Sequence, residues 1–176
     1  MTNMFSNPNI SIATPDDVPA IVTLLNNSYR GEASRQGWTT EADLIAGNQR
    51  SDDKMVLDTM RQEGSVFLKY TDGDSIIGCV NLQLEEDQIY LGMFSVQPQL
   101  QGKGTGKALL QAAEEHARQM HCPKIYMSVI SVRSELINWY KRHGYVDTGK
   151  RIPFIEDDVT GKHLQPLEFM ILEKKM

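Results

Sequence analysis

Cysteine is scarce: Cys79 and Cys122 are the two in 176 residues, too few for a disulfide scaffold. Cys79 lies in an apolar run and reads as a small buried hydrophobe. Long apolar stretches are lacking as well, since no run approaches the ~18 residues of a membrane helix. Met1 to Asn9 has no basic stretch followed by an apolar core, so no signal peptide is expected. Positive charge is in deficit, with 18 lysines and arginines against 23 aspartates and glutamates, a net charge of −5. That balance gives no global field for nucleic acid, which needs clustered cations. His116, His121, His143 and His163 lack metal-ligand spacing and read as surface or helix-end residues. No G-x-S-x-G elbow offers a serine nucleophile. The expectation is a soluble, cytoplasmic protein with no nucleic acid, membrane or metal among its partners.

What is present suits one domain over residues 1–176, with 40% hydrophobic and 23% charged residues. Ile10 and Ile12 alternate with polar neighbours, a short strand signal. Thr14-Pro15-Asp16-Asp17 opens a helix through a capping residue, a proline and two acids at the positive end of the dipole. Its apolar face is Val18, Ile21, Val22 and Leu25, and it ends near Ser28 to Gly31. Gly31 to Gly37 reads as a polar loop, Thr39-Thr40-Glu41 as the start of a short helix ending at Gly47, and Ser51-Asp52-Asp53 as the cap of another that stops before Gly64.

Ser65–Tyr70, Ser75–Leu84 and Ile89–Val96 are expected as successive antiparallel strands, turned at Asp72-Gly73 and Glu85-Glu86-Asp87. A helix follows from about Gly104 to His121, its apolar positions Leu109, Ala113, Ala117 and Met120, its outer face carrying an i,i+4 pair of Glu114 and Arg118. Lys124 to Ile130 reads as a buried strand, so strand, helix and strand make a parallel crossover. Ser134 to His143 is a further helix with Leu136, Ile137 and Tyr140 on one face; Tyr145 to Thr148 and Leu167 to Leu172 close the chain as strands. The fold class is mixed α/β.

A second absence is local. From Gln88 through Ala113 there is no aspartate or glutamate, where an even spread would place about three, so this stretch is an electropositive island. Within it, Gln101-Gly102-Lys103-Gly104-Thr105-Gly106-Lys107 joins a strand to a helix. Glycines allow tight turns and close approach of a ligand, and free N–H groups at a helix start hold anions. A P-loop is excluded because Gln101 stands at its first glycine and Ala108 follows Lys107. A dinucleotide fingerprint is excluded because Lys107 takes its third glycine.

The pattern that fits is a third one. Gln101 to Gly106, after Val96-x-Pro98 and before Ala108-Leu109-Leu110, resembles the acyl-coenzyme A loop of the GNAT family of N-acetyltransferases, Q/R-x-x-G-x-G/A. Trp139-Tyr140-Lys141-Arg142-His143-Gly144-Tyr145 resembles that family's Y-x-x-x-G-F/Y segment. The order of elements matches over nearly the whole chain. The resemblance implies a single-domain GNAT-like fold, a mixed, mostly antiparallel sheet flanked by helices, with acetyl-CoA as acetyl donor. Phe94, Ser95 and Val96 would pair through their backbone with the pantetheine arm, and Gln101, Gly102, Lys103, Gly104, Thr105, Gly106 and Lys107 would wrap the pyrophosphate. Tyr140 would protonate the departing thiolate, the reading its spacing to Gly144 favours over that of a core tyrosine on the apolar face of the last helix.

Two positions depart from the family. Arg133 stands where many members carry asparagine, and is open between coenzyme phosphates and solvent; Thr105 replaces an aliphatic residue. Glu85, Glu86 and Asp87 read as a solvated turn, and no base is assigned. Gly31 to Gly64 is expected to build much of the acceptor pocket, with Tyr29 and Trp38 as candidates, though a tryptophan beside a loop can equally anchor it. Trp38-Thr39-Thr40-Glu41 and Arg151-Ile152-Pro153-Phe154 are similar to a subgroup of the family without naming a substrate. The function expected is direct acetyl transfer to an amine of a small molecule or peptide; the alternative is a non-catalytic acyl-CoA sensor. A homodimer is admitted.

Overall fold

Seven strands join one sheet in the computed structural model, which describes residues 4–156 and 161–176. They are β1 (Ile10–Ile12), β2 (Ser65–Asp72), β3 (Ser75–Glu85), β4 (Gln88–Val96), β5 (Lys124–Ile130), β6 (Val146–Pro153) and β7 (Glu168–Lys175). Their order across the sheet is β1-β2-β3-β4-β5-β7-β6, antiparallel except for β4 beside β5. The helices are α1 (Val18–Tyr29), α2 (Gly31–Ser34), α3 (Asp53–Arg61), α4 (Thr105–Gln119) and α5 (Ser134–Arg142). The expected mixed α/β architecture is borne out.

Side-chain alternation along the strands builds two cores. Phe67 and Cys79 face one side and pack with Val18, Ile21 and Leu25 of α1 and Val56 of α3. Leu68, Val80 and Leu82 face the other side, against Leu109 and Ala113 of α4 and Ile137 and Tyr140 of α5. Cys79 is fully buried, as its apolar setting suggested, and burial pushes its thiol up to about 12. The N-terminal cap also forms: the Thr14 N–H donates to the Asp17 carboxylate at 2.9 Å, and a 3-10 turn over Pro15–Asp17 leads into α1.

Four local expectations fail for tertiary reasons. No helix forms over residues 39–47. Leu44 and Ile45 both donate to the Glu41 carbonyl at 2.9 Å in a single turn, after which Ile45 bridges His163 and the Ala46 N–H donates to Lys162. Gly31–Ser34 is a helical turn within the expected loop. Glu114 does pair with Arg118 at 4.0 Å as the spacing predicts, but from a buried position rather than an outer face, where Lys174 of β7 holds it at 2.5 Å; Met120 is exposed beyond the end of α4. The strand expected over Tyr145–Thr148 runs on to Pro153 along the sheet edge, every residue exposed, with a register shift between Asp147 and Arg151.

The feature that positions the site is the parting of β4 and β5. They pair only at Ile89 with Ile125 and Tyr90 with Tyr126. Beyond that, β4 stays with β3 to Val96 and β5 stays with β7 to Ile130. A β-bulge bends β4 at the parting: between the pairs Cys79–Ser95 and Asn81–Gly92, Met93 and Phe94 together oppose Val80, and Met93 takes φ +47°. The sheet opens there into a cleft.

Candidate active site

One side of the cleft is built largely from main chain. Strand β4 ends, a 3-10 turn over Pro98–Leu100 follows, and Gly102 and Gly104 adopt φ of +83° and +92°, which favours glycine. A Cβ on either would meet no heavy atom of the protein within 4 Å. Space for a ligand therefore lies against this backbone. Gly104 caps α4, whose first intrahelical bond runs from the Ala108 N–H to the Gly104 carbonyl at 3.0 Å. The N–H groups of Thr105, Gly106 and Lys107 have no helical acceptor, and the dipole adds positive potential. Gly106 and Lys107 border a cavity of about 520 Å³ whose wall also includes Trp139, Arg142 and His143. The Ser95 hydroxyl, buried in the same wall, has no hydrogen-bond partner among the described residues. Open space over positive-φ glycines, free N–H groups and nearby cations fit a polyanionic coenzyme.

The other side is built from side chains. Arg30, fully buried, donates to Glu41 at 3.0 Å, and Arg133 donates to the second Glu41 oxygen at 3.0 Å and to the Thr39 carbonyl. Burial lowers the pKa of Arg30, and Glu41 opposes that fall. Arg133 and Arg50 lie 5.6 and 6.0 Å from the Tyr29 ring centroid. Tyr29, Glu41, Arg50 and Arg133 border a second cavity of about 280 Å³ whose wall also includes Val129, Ile130, Phe154 and Phe169. Tyr29, Phe94 and Leu136 are common to both cavities.

Of the residues singled out from sequence, Phe94, Ser95, Val96, Gln101, Gly102, Gly104, Gly106 and Lys107 border the larger cavity. The Phe94 carbonyl accepts from the Tyr29 hydroxyl; the Val96 carbonyl accepts from Ser28 at 3.1 Å and Gln101 at 3.0 Å. Gln101 turns inward: its amide oxygen accepts from the Trp38 N–H at 2.8 Å, and its nitrogen donates to Thr39 at 2.7 Å. Lys103 is exposed outside the cavity wall, and Thr105 is buried. Trp38, expected beside the acceptor, lies in the glycine-loop cavity, 6.3 Å from Trp139. Tyr29 lies between the two cavities, and burial raises its phenol to about 12 despite Arg133.

Tyr140 lines neither cavity. Its ring is buried between Phe94 at 6.3 Å, Trp139 at 5.2 Å and Tyr145 at 5.9 Å, and burial raises its phenol well above 10. Arg133 is not left to solvent: Glu41 and the Thr39 carbonyl hold it, and it borders the smaller cavity. Glu41 and Arg50 were missed as site residues. The tetrapeptide ending at Glu41 stood out, but nothing local to it announces two arginines.

Comparisons with known proteins agree with this geometry. Over 64 residues, 36% of this chain and 42% of the relative, it is 31% identical to a spermine/spermidine N(1)-acetyltransferase of Bacillus subtilis. The chain spans less than half the length of the curated relatives it matches. The solved ribosomal-protein-S18-alanine N-acetyltransferase of Escherichia coli superposes with a TM-score of 0.70 at 16% identity, covering 94% of this chain and 92% of that one. The PaiA N-acetyltransferase of Thermoplasma acidophilum, solved with coenzyme A, gives a TM-score of 0.66 at 17% identity over 95% and 99% of the two chains. The model of the acetyltransferase (GNAT) family matches residues 20–145, well over half the chain. The chain belongs to the GNAT acetyltransferase family.

Proposed function

We propose that the protein is an N-acetyltransferase that takes acetyl-CoA as donor and transfers the acetyl group directly to an amine. One observation carries this reading: a backbone-built anion site and a side-chain-built pocket meet at Tyr29, Phe94 and Leu136, where β4 and β5 part. The bound coenzyme supplies an acetyl thioester. Lys107 and the free N–H groups of α4 hold its phosphates. The Ser95 hydroxyl and the main chain of β4 are further polar groups of that wall, together with Glu135, Arg142 and His143. An alkyl ammonium has a pKa of about 10, so the acceptor must lose a proton before attack. The Tyr29 and Tyr140 phenols, raised by burial, are protonated at neutral pH, so neither is the base.

The position of Tyr140 behind the cavity wall favours a second reading, an acyl-CoA-binding module without transfer. Thiol release from acetyl-CoA across a panel of amines separates them. Release that depends on an amine is expected. Tight coenzyme binding with no release from any amine would replace the enzyme with the sensor.

A further inference from the structure

We infer, on the basis of that proposed transfer, that the acceptor is a small α-amino acid with an apolar side chain, its carboxylate held by Arg50 beside Arg133. The charges around the smaller cavity point this way. Glu41, Arg50 and Arg133 are its charged wall residues among those described. Glu41 is already taken up, one oxygen by Arg30 and the other by Arg133. Arg50 has no carboxylate within 4.0 Å among the described residues, although it stands in the wall. With both oxygens of Glu41 committed, the described residues leave positive charge in the cavity uncompensated. A polyamine would bring cations to guanidinium groups with no carboxylate left over. A carboxylate finds a planar fork suited to bidentate hydrogen bonds.

Distance sets the spacing within the ligand. Arg50 and Arg133 flank Tyr29, within 6.0 Å of its ring centroid, and Tyr29 belongs to both cavities. An anion on Arg50 therefore sits close to the junction where the amine must meet the thioester. An amine and a carboxylate on one carbon fit that separation; a long spacer between them does not. The wall also carries Val129, Ile130, Phe154 and Phe169, apolar surface available to a side chain beside Tyr90 and Ser128. Its volume of about 280 Å³ is at the low end for small-ligand pockets, the size of a single residue. In the transfer, a C–N bond forms, the C–S bond breaks, and the amine proton lost balances the proton gained by sulfur.

The test pairs each common apolar L-amino acid with its carboxylate-free amine, such as L-phenylalanine with 2-phenylethylamine, and adds spermidine. Thiol release from acetyl-CoA gives kcat/KM for each. The amino acid should exceed its amine partner by roughly 10- to 100-fold, the effect of a charge-assisted pair. Arg50→Met should abolish that ratio while acetyl-CoA affinity holds, and Arg50→Lys should retain part of it. Equal or better turnover of spermidine or of the carboxylate-free amines overturns the inference and leaves the transferase standing. Absence of release from every compound overturns the transferase, and the pocket is then read without turnover. In the presence of coenzyme A, N-acetyl-L-phenylalanine should raise the melting temperature more than N-acetyl-2-phenylethylamine does, and Arg50→Met should erase the difference. Equal shifts overturn the arginine site.

Discussion

The two walls of the cleft solve the same problem with different materials. On the coenzyme side the groups are N–H donors fixed by the start of α4, glycines at positive φ, and an exposed lysine. On the acceptor side they are the side chains of Arg30, Glu41 and Arg133, locked together out of water. A backbone site has little to reorganise and little to lose by substitution elsewhere, which suits a ligand common to many reactions. A buried ionic network makes each member depend on the others and can be altered one side chain at a time. Gln101 holds Trp38, Thr39 and Val96 together in the first wall, and the Thr39 carbonyl, which accepts from Arg133, links that wall to the second.

The contrast breaks most completely at Gly104. With φ +92° and open space where a Cβ would stand, Gly104→Val strains the turn and fills the ligand's room. Losing two charge-assisted hydrogen bonds at ~1.5–3 kcal/mol each should weaken coenzyme A binding by at least ~100-fold, with circular dichroism unchanged. Calorimetry checks it, and normal affinity in a folded variant would remove Gly104 from the site. Gly106→Ala is the control, since its Cβ would sit in ordinary contact at 3.6 Å from Phe94 and 3.7 Å from Trp139. It should bind coenzyme A nearly as the parent does.

Tyr140→Phe tests the ring that stands behind both walls. If its phenol serves the departing sulfur, kcat should fall ~10²–10⁴-fold with coenzyme affinity intact, because phenylalanine keeps the packing. Unchanged kcat where chemistry limits the rate makes Tyr140 a core residue.

On the acceptor wall the expected injury is to stability. Glu41→Ala leaves Arg30 and Arg133 buried without their counter-ion and should cost ~3–5 kcal/mol by urea denaturation. Molar salt should barely alter that figure, whereas it should weaken coenzyme binding at exposed Lys107. A loss below about 1 kcal/mol would show that the network contributes no more than surface pairs do.

The smallest effect is alkaline. Burial raises the Tyr29 phenol from 10.0 to about 12, so folding favours its protonated form. The stability this gives is complete below pH 10 and is lost as pH rises through 12. Unfolding titrations should therefore show a decline above pH 10 that is shallower in Tyr29→Phe, with the other buried tyrosines supplying the remainder. An identical decline in the variant would place the Tyr29 hydroxyl in contact with water.

These differences also decide what could be read in advance. The main-chain part of the coenzyme wall, from Phe94 to Lys107, occupies one stretch of chain, so its glycines, Lys107 and the missing acids announce it locally. The acceptor wall joins Tyr29, Glu41, Arg50 and Arg133, and none of them has a neighbour in sequence that reveals its partner in space. Thr39-Thr40-Glu41 has the form of a helix cap, yet its glutamate is drawn to two arginines and the chain beyond it turns to bridge His163. The Glu114–Arg118 spacing is likewise a sound helical pair, yet it does not reveal Lys174 arriving from β7. Periodicity reports which face of an element is apolar; it carries no information on a charged residue many positions away.

The outer strand β6 has a consequence for the protein in crowded solution. A long regular strand at a sheet's border is a template on which a second chain can pair, and such pairing grows into aggregates. Val146 and Ile152 leave 57% and 37% of their surface exposed on this border, enough to invite it. The shift in register between Asp147 and Arg151 breaks the repeat, Gly149 turns at φ +85°, and Pro153 withholds a donor at the strand's last residue. Asp147, Lys150 and Arg151 add charges that an incoming strand would have to desolvate. At the opposite border, β1 is only three residues long. One border is guarded by irregularity and the other by brevity, so a sheet of seven strands ends where its own chain ends it.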